Sequence, residues 1–181
     1  MKNKTVHKGF TLMEILVSVG VLAIIATLLT QVLFTTVHVN KKAEILSTVK
    51  QEGNFALDVI SRMIRSAKVI SVPCALGDDT ADSADITNPD SNVTTFECHE
   101  GRIASESATG SIVYLTGGNL SLSPSGTDDC INQTLRFTCP PADGSIQKQV
   151  TVTFTLGQVG ESGSVYESGS AAFSSTVSMR N

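Results

Sequence analysis

From Ile15 to Val39 the chain runs without a single Asp, Glu, Lys or Arg, and one acid, Glu14, stands at the entrance to that run. About 20 apolar residues, each rising ~1.5 Å, carry a helix across a bilayer, so this segment is long enough to span one. An ionised carboxylate at its start costs roughly 2.5–3.5 kcal/mol at the membrane centre and less toward the interface. An acid in that setting needs a partner. A short basic leader (Lys2, Lys4, His7, Lys8) precedes the run and ends at Gly9. A secretory signal peptide has an apolar core of only about 7–15 residues followed by a small-x-small cleavage site, and neither fits here. A lipoprotein signal needs a cysteine after its core, whereas the first cysteine is Cys74. A plain single-pass anchor accounts for the length but not for Glu14 or Gly9, and a buried helix of a soluble protein would not run this far uncharged.

The stretch Lys8-Gly9-Phe10-Thr11-Leu12-Met13-Glu14-Ile15-Leu16-Val17 closely resembles the cleavage and methylation motif of type IV prepilins and type II secretion pseudopilins. The resemblance is specific, because cleavage-site glycine, aromatic first residue, acid and long apolar run must coincide in register. It is close over about residues 2–39 and looser to about residue 70. It implies that a membrane aspartyl peptidase cuts between Gly9 and Phe10 and methylates the new N-terminus on Phe10. It also implies that Glu14, fifth in the mature chain, serves filament assembly. The implied role is a structural subunit, a minor pilin or J/W-type pseudopilin, of a type IV pilus, a type II secretion pseudopilus or a DNA-uptake filament. The implied partners are the prepilin peptidase, other pilin subunits, an inner-membrane assembly platform and membrane lipid. No catalysed reaction is expected. The alternative is a ligand-binding tip subunit or adhesin on the same kind of filament. One departure is Gln31, at the twenty-second mature position, where many major pilins have proline; it favours a minor subunit or an atypical major one.

The net charge of −4 hides a strong polarity. Residues 1–39 carry +2 and residues 40–68 carry +3, while residues 69–181 set four bases against thirteen acids, a net −9. So acidic a head argues against DNA binding through its general surface, since phosphate contacts need Lys and Arg. The basic leader agrees with the positive-inside rule, placing the N-terminus in the cytoplasm and the head across the inner membrane. Lys41 and Lys42 weaken that bias, so the orientation leans on the resemblance as well. The expected plan is a cleaved leader over 1–9, a transmembrane helix over 10–39, an amphipathic continuation over 40–68 and a β-rich head over 69–181.

Beyond the membrane-length run the apolar pattern narrows to a stripe. Ile45, Leu46, Val49, Ala56, Val59, Ile60, Met63, Ile64 and Ala67 recur at three- and four-residue intervals, one face of a helix. Gly53 interrupts it at about 1 kcal/mol relative to alanine. From Val69 the composition turns to Ser, Thr, Gly and Asp, with short alternating runs. Strands are expected at Val93–Cys98, Ile112–Leu115, Leu120–Leu122, Leu135–Cys139, Val150–Leu156 and Phe173–Met179. Gly117-Gly118 reads as a hairpin turn. The expected fold is α+β: a long helix whose second half covers the apolar face of a small antiparallel sheet, as in pilins.

The head offers three candidates for chemistry and four cysteines. Asp78, Asp79, Asp82, Asp85 and Asp90 could supply oxygens to Ca²⁺, but their spacing fits no EF-hand. A solvated loop, and no cofactor, is the expectation. His99 lies beside Glu97 and Glu100, with no serine or cysteine nucleophile placed against it. Asn92, Asn119 and Asn132 each begin an Asn-x-Ser/Thr triplet, which matters only in a glycosylating host. Cys74, Cys98, Cys130 and Cys139 all fall in the expected exported part, which suits disulfides. Of three possible pairings, the sequential one (Cys74–Cys98 and Cys130–Cys139) is favoured because each bridge closes a turn-rich excursion.

Overall fold

A computed structural model describes residues 9–72, 80–123, 130–139, 149–159 and 169–179. Helix α1 spans Leu12–Ser66. It begins at Thr11, whose hydroxyl accepts the Glu14 N–H at 3.3 Å and whose carbonyl accepts the Glu14 and Ile15 N–H groups at 3.1 and 3.2 Å. Thr followed three residues later by Glu is the spacing of a capping box. Glu14 also lies in the first turn, where the helix dipole favours an acid.

The chain divides into two compact units between Asn40 and Lys41. In the first, every described residue is exposed, from Leu12 at 82% to Val39 at 60%. A helix stretch that is apolar all round, with every described residue exposed, needs a non-aqueous surrounding. Its polar side chains are suited to one. The hydroxyls of Ser18, Thr30, Thr35 and Thr36 donate to the carbonyls of Glu14, Ala26, Gln31 and Val32 at 2.7–2.9 Å, and Thr27 donates to Ile24 at 2.8 Å. Those groups are satisfied within the helix, which is what lipid or an apolar core demands. Among the described residues α1 is the one helix long and apolar enough to cross a membrane.

In the second unit α1 buries Val49, Ala56, Ile60 and Ile64 of the expected stripe, and Gly53 and Ser61 with them, while Phe55 stays 57% exposed. The helix stops without a Gly or Pro because the Lys68 N–H is taken by the Thr87 carbonyl at 2.8 Å, which starts strand pairing. Strands β1 (Val69–Val72), β3 (Ala84–Thr87), β4 (Val93–His99), β5 (Arg102–Ser107) and β6 (Ile112–Tyr114) form one antiparallel sheet in the order β1-β3-β4-β5-β6. Strands β10 (Ser170–Ser178), β9 (Gln149–Gln158), β8 (Arg136–Thr138) and β2 (Thr80–Ala81) form a second in the order β10-β9-β8-β2, with β7 (Leu120–Ser121) also paired to β9. On β9 the buried residues are Val150, Val152, Phe154 and Leu156, alternating as the sequence predicts. One apolar cluster joins the layers, with Ile60 and Ile64 from α1, Ile86 and Phe96 from the first sheet, and Phe137 and Leu156 from the second.

Three expectations are corrected. The head holds two sheets among its described residues, not one. Gly117-Gly118 is no hairpin turn, because β6 pairs with β5 and β7 with β9, so these glycines carry the chain from one sheet to the other. The Glu52 carboxylate fixes that crossing by accepting the Gly117 N–H at 2.5 Å. The sequential disulfides are overturned as well: Cys98 is bonded to Cys130. The Leu122 N–H donates to the Gly101 carbonyl at 2.8 Å, and the Thr134 N–H to the Leu122 carbonyl at 3.1 Å. These bonds lead the chain after β7 past the β4–β5 turn and set Cys130 against Cys98 near the end of β4. Cys139 is disulfide-bonded too, and Cys74 lies outside the described residues.

Candidate functional site

Gly9 and Phe10 precede α1 and are exposed, Phe10 to 78%. A Cβ added at Gly9 would meet nothing within 4 Å. Nor is its backbone left-handed, since the positive-φ glycines among the described residues are Gly101 and Gly110. The fold therefore gives no reason for glycine at position 9, and any such requirement comes from outside the fold. Lys2, Lys4, His7 and Lys8 of the leader lie outside the described residues.

Glu14 is held by its backbone to the Thr11 cap, with its side chain exposed on the first turn. The ion pairs among the described residues are Arg62–Asp58 and Arg102–Glu100, and Glu14 belongs to neither. Cleavage after Gly9 would leave the new amine of Phe10 one residue ahead of the cap. The T-x-x-E spacing could have shown this capping role in the sequence; the sequence reading missed it.

In the head, His99 is engaged by a tyrosine. Its Nδ1 lies 3.0 Å from the Tyr114 hydroxyl, which donates to Glu100 at 2.8 Å. Arg102 donates to the same Glu100 oxygen at 2.5 Å, and its guanidinium sits 3.6 Å from the centre of the Tyr114 ring. The hydrogen bonds from Tyr114 and Arg102 hold the Glu100 carboxyl below its ordinary value, and the bond to Glu100 pushes the Tyr114 phenol up. This cluster braces the β4–β5 turn, where Glu100 and Gly101 both have positive φ, 50° and 73°. Glu97 shares none of these hydrogen bonds; burial first, and the Glu106 carboxylate next, raise its carboxyl, against a smaller lowering by His99.

The aspartates are spread along the chain and tied up locally. Asp85, on β3, accepts the Thr95 hydroxyl at 2.7 Å, and Asp90 accepts the Asn92 N–H and side-chain amide at 3.1 and 2.7 Å. Those bonds from Asn92 hold the Asp90 carboxyl low. Asp82 falls between β2 and β3, while Asp78 and Asp79 lie outside the described residues. Among the described residues no group of three His, Cys, Asp or Glu could hold a metal ion.

The family described as the prokaryotic N-terminal methylation motif matches residues 4–30. No curated protein and no solved structure matches the chain. The match takes in Gly9, Phe10, Thr11 and Glu14 and reaches well into the exposed apolar helix. It supports a pilin- or pseudopilin-type structural subunit, fits membrane anchoring, and implies processing by a peptidase and assembly with other subunits. At the head of a membrane-length helix, the chain carries the prepilin-type signal of pilins and pseudopilins.

Proposed function

We propose that the chain is a minor pilin or pseudopilin, cut after Gly9 by a prepilin peptidase, methylated on Phe10 and built through Glu14 into a type IV pilus, type II secretion pseudopilus or DNA-uptake filament. The observation that carries this reading is the match over residues 4–30 falling on a glycine that the fold itself does not require. Removing the leader strips the cytoplasmic bases and exposes an amine on Phe10. In an apolar surrounding, Glu14 of one subunit and that amine on its neighbour form a complementary pair, far better than two bare charges. Such a pair sets the register between subunits. The self-satisfied hydroxyls of Ser18, Thr30, Thr35 and Thr36 suit the same apolar setting. The Cys98–Cys130 bridge suits a head on the oxidising side of the inner membrane.

The test is Glu14→Gln, scored for leader removal and for recovery in sheared filaments from the same cells. The amide leaves the backbone cap at Thr11 in place and cannot neutralise an amine. Cleavage should persist while filament incorporation is lost, and Glu14→Asp should fall between the two because its reach is one methylene shorter. Normal incorporation of Glu14→Gln would remove the assembly role.

A further inference from the structure

Within the head unit, α1 and the β7–β9 pair line a half-open pocket of about 250 Å³ formed by Glu44, Ile45, Thr48, Asn119, Leu120 and Gln158. It lies below the roughly 300–1,000 Å³ of pockets for drug-sized ligands, so it suits one side-chain tip or a small metabolite. Ile45 and Leu120 supply its apolar lining. The charged lining is one-sided. Glu44 brings a carboxylate, and no Lys or Arg lines the pocket. The Thr48 hydroxyl already donates to the Glu44 carbonyl at 3.1 Å, which leaves its oxygen to accept. The nearby backbone donors are also taken: Leu120 N–H by Gly117, Gln158 N–H by Gly169 and Val159 N–H by Asn119. The Gln158 Oε1 is buried with no hydrogen-bond partner. A buried amide oxygen without a donor is a standing cost in the empty fold. The terminal torsion of glutamine is soft, so this oxygen can turn toward a donor placed in the pocket.

We propose that this pocket binds an alkylammonium group: its methylenes lie on Ile45 and Leu120, and its nitrogen donates to Glu44, Asn119 and Gln158. An ammonium has three donors and no acceptor, the complement of this wall. An anion would face Glu44 with only two side-chain amides to receive it. The group could belong to a free small amine or to a lysine of a second copy of the chain. Its binding does not depend on cleavage after Gly9, so this assignment and the filament reading fail separately.

The experiment is an NMR titration of the full chain in detergent micelles, following the side-chain amides of Asn119 and Gln158. The probe is n-butylammonium chloride, with n-butanol at matched ionic strength as its neutral counterpart. Saturable shifts with the ammonium alone are expected, weakened about tenfold or more by Glu44→Gln, an exposed position where folding is not at risk. Equal response to butanol, no response to either, or undiminished binding by Glu44→Gln would overturn the assignment. Carbodiimide coupling of mixed isotope-labelled copies then separates the sources. A Glu44–lysine link between copies names a neighbouring subunit, and its absence alongside retained butylammonium binding names a free amine.

Discussion

The ring of Phe173 occupies the space that a side chain on Gly53 would need. Gly53 sits inside the C-terminal part of α1, and Phe173 projects from β10, stacked on Phe154 with ring centres 5.0 Å apart. A glycine inside a helix costs about 1 kcal/mol relative to alanine. Here it lets the second sheet bring an aromatic ring against the helix backbone.

Gly53→Ala should therefore destabilise the head although alanine is the better helix former. Overpacking costs typically ~1–3 kcal/mol, which outweighs the propensity gain or cancels it. Thermal unfolding of the full chain in detergent reads the effect. Phe173→Leu should make the two substitutions non-additive by relieving the contact. A higher melting temperature for Gly53→Ala alone would show that the ring does not need this space.

Non-reducing peptide mapping should join Cys98 with Cys130, which leaves Cys139 and Cys74 for the second bridge. Replacing Cys98 and Cys130 together by alanine should cost roughly 2–4 kcal/mol, as for a bridge spanning a loop of this length. A Cys74–Cys98 peptide would contradict the path of the chain after β7.

Two glutamates on one hairpin should respond to acid with opposite signs. Burial and Glu106 raise Glu97 above its ordinary value of 4.5. A carboxyl that holds its proton more firmly in the fold loses stability as pH rises from the unfolded value through the raised one. Glu97→Gln should thus melt higher than the parent at neutral pH and lose that advantage in acid. Tyr114 and Arg102 lower Glu100, so its contribution is present above the unfolded value and disappears as pH falls through the lowered one. Glu100→Gln should melt lower at neutral pH and converge with the parent in acid. The same sign for both variants would refute the assigned environments.

Much of the fold was legible where one period dominates. The stripe from Val49 to Ile64 and the alternation of β9 follow from how a helix and a strand present side chains. Four strands were not legible. β2 is only two residues, Thr80 and Ala81. β3 places Ile86 among aspartates, β5 has only Ile103 and Ala104 as apolar residues, and β1 is four residues following directly on the helix. Alternation also tells which residues face inward but not which strand lies alongside. That is why Gly117-Gly118 reads as a hairpin from sequence and why Cys98 reads as the partner of its nearer neighbour, Cys74. At the N-terminus, Gly9, Phe10 and Glu14 stood out because their register is local. The seat of Phe173 on Gly53 and the pocket at Gln158 arise from residues far apart in the chain, and no local pattern signals them.

The most direct test of the central claim is the intact mass of the chain after co-expression with a prepilin peptidase. The account predicts a mature chain beginning at Phe10, lighter by residues 1–9 and heavier by one methyl group, and a full-length precursor for Gly9→Val. Because Gly9 has open space around it, valine there should leave the fold intact and block only processing. A full-length parent chain in the presence of the peptidase, or Gly9→Val cut as readily as the parent, would contradict it.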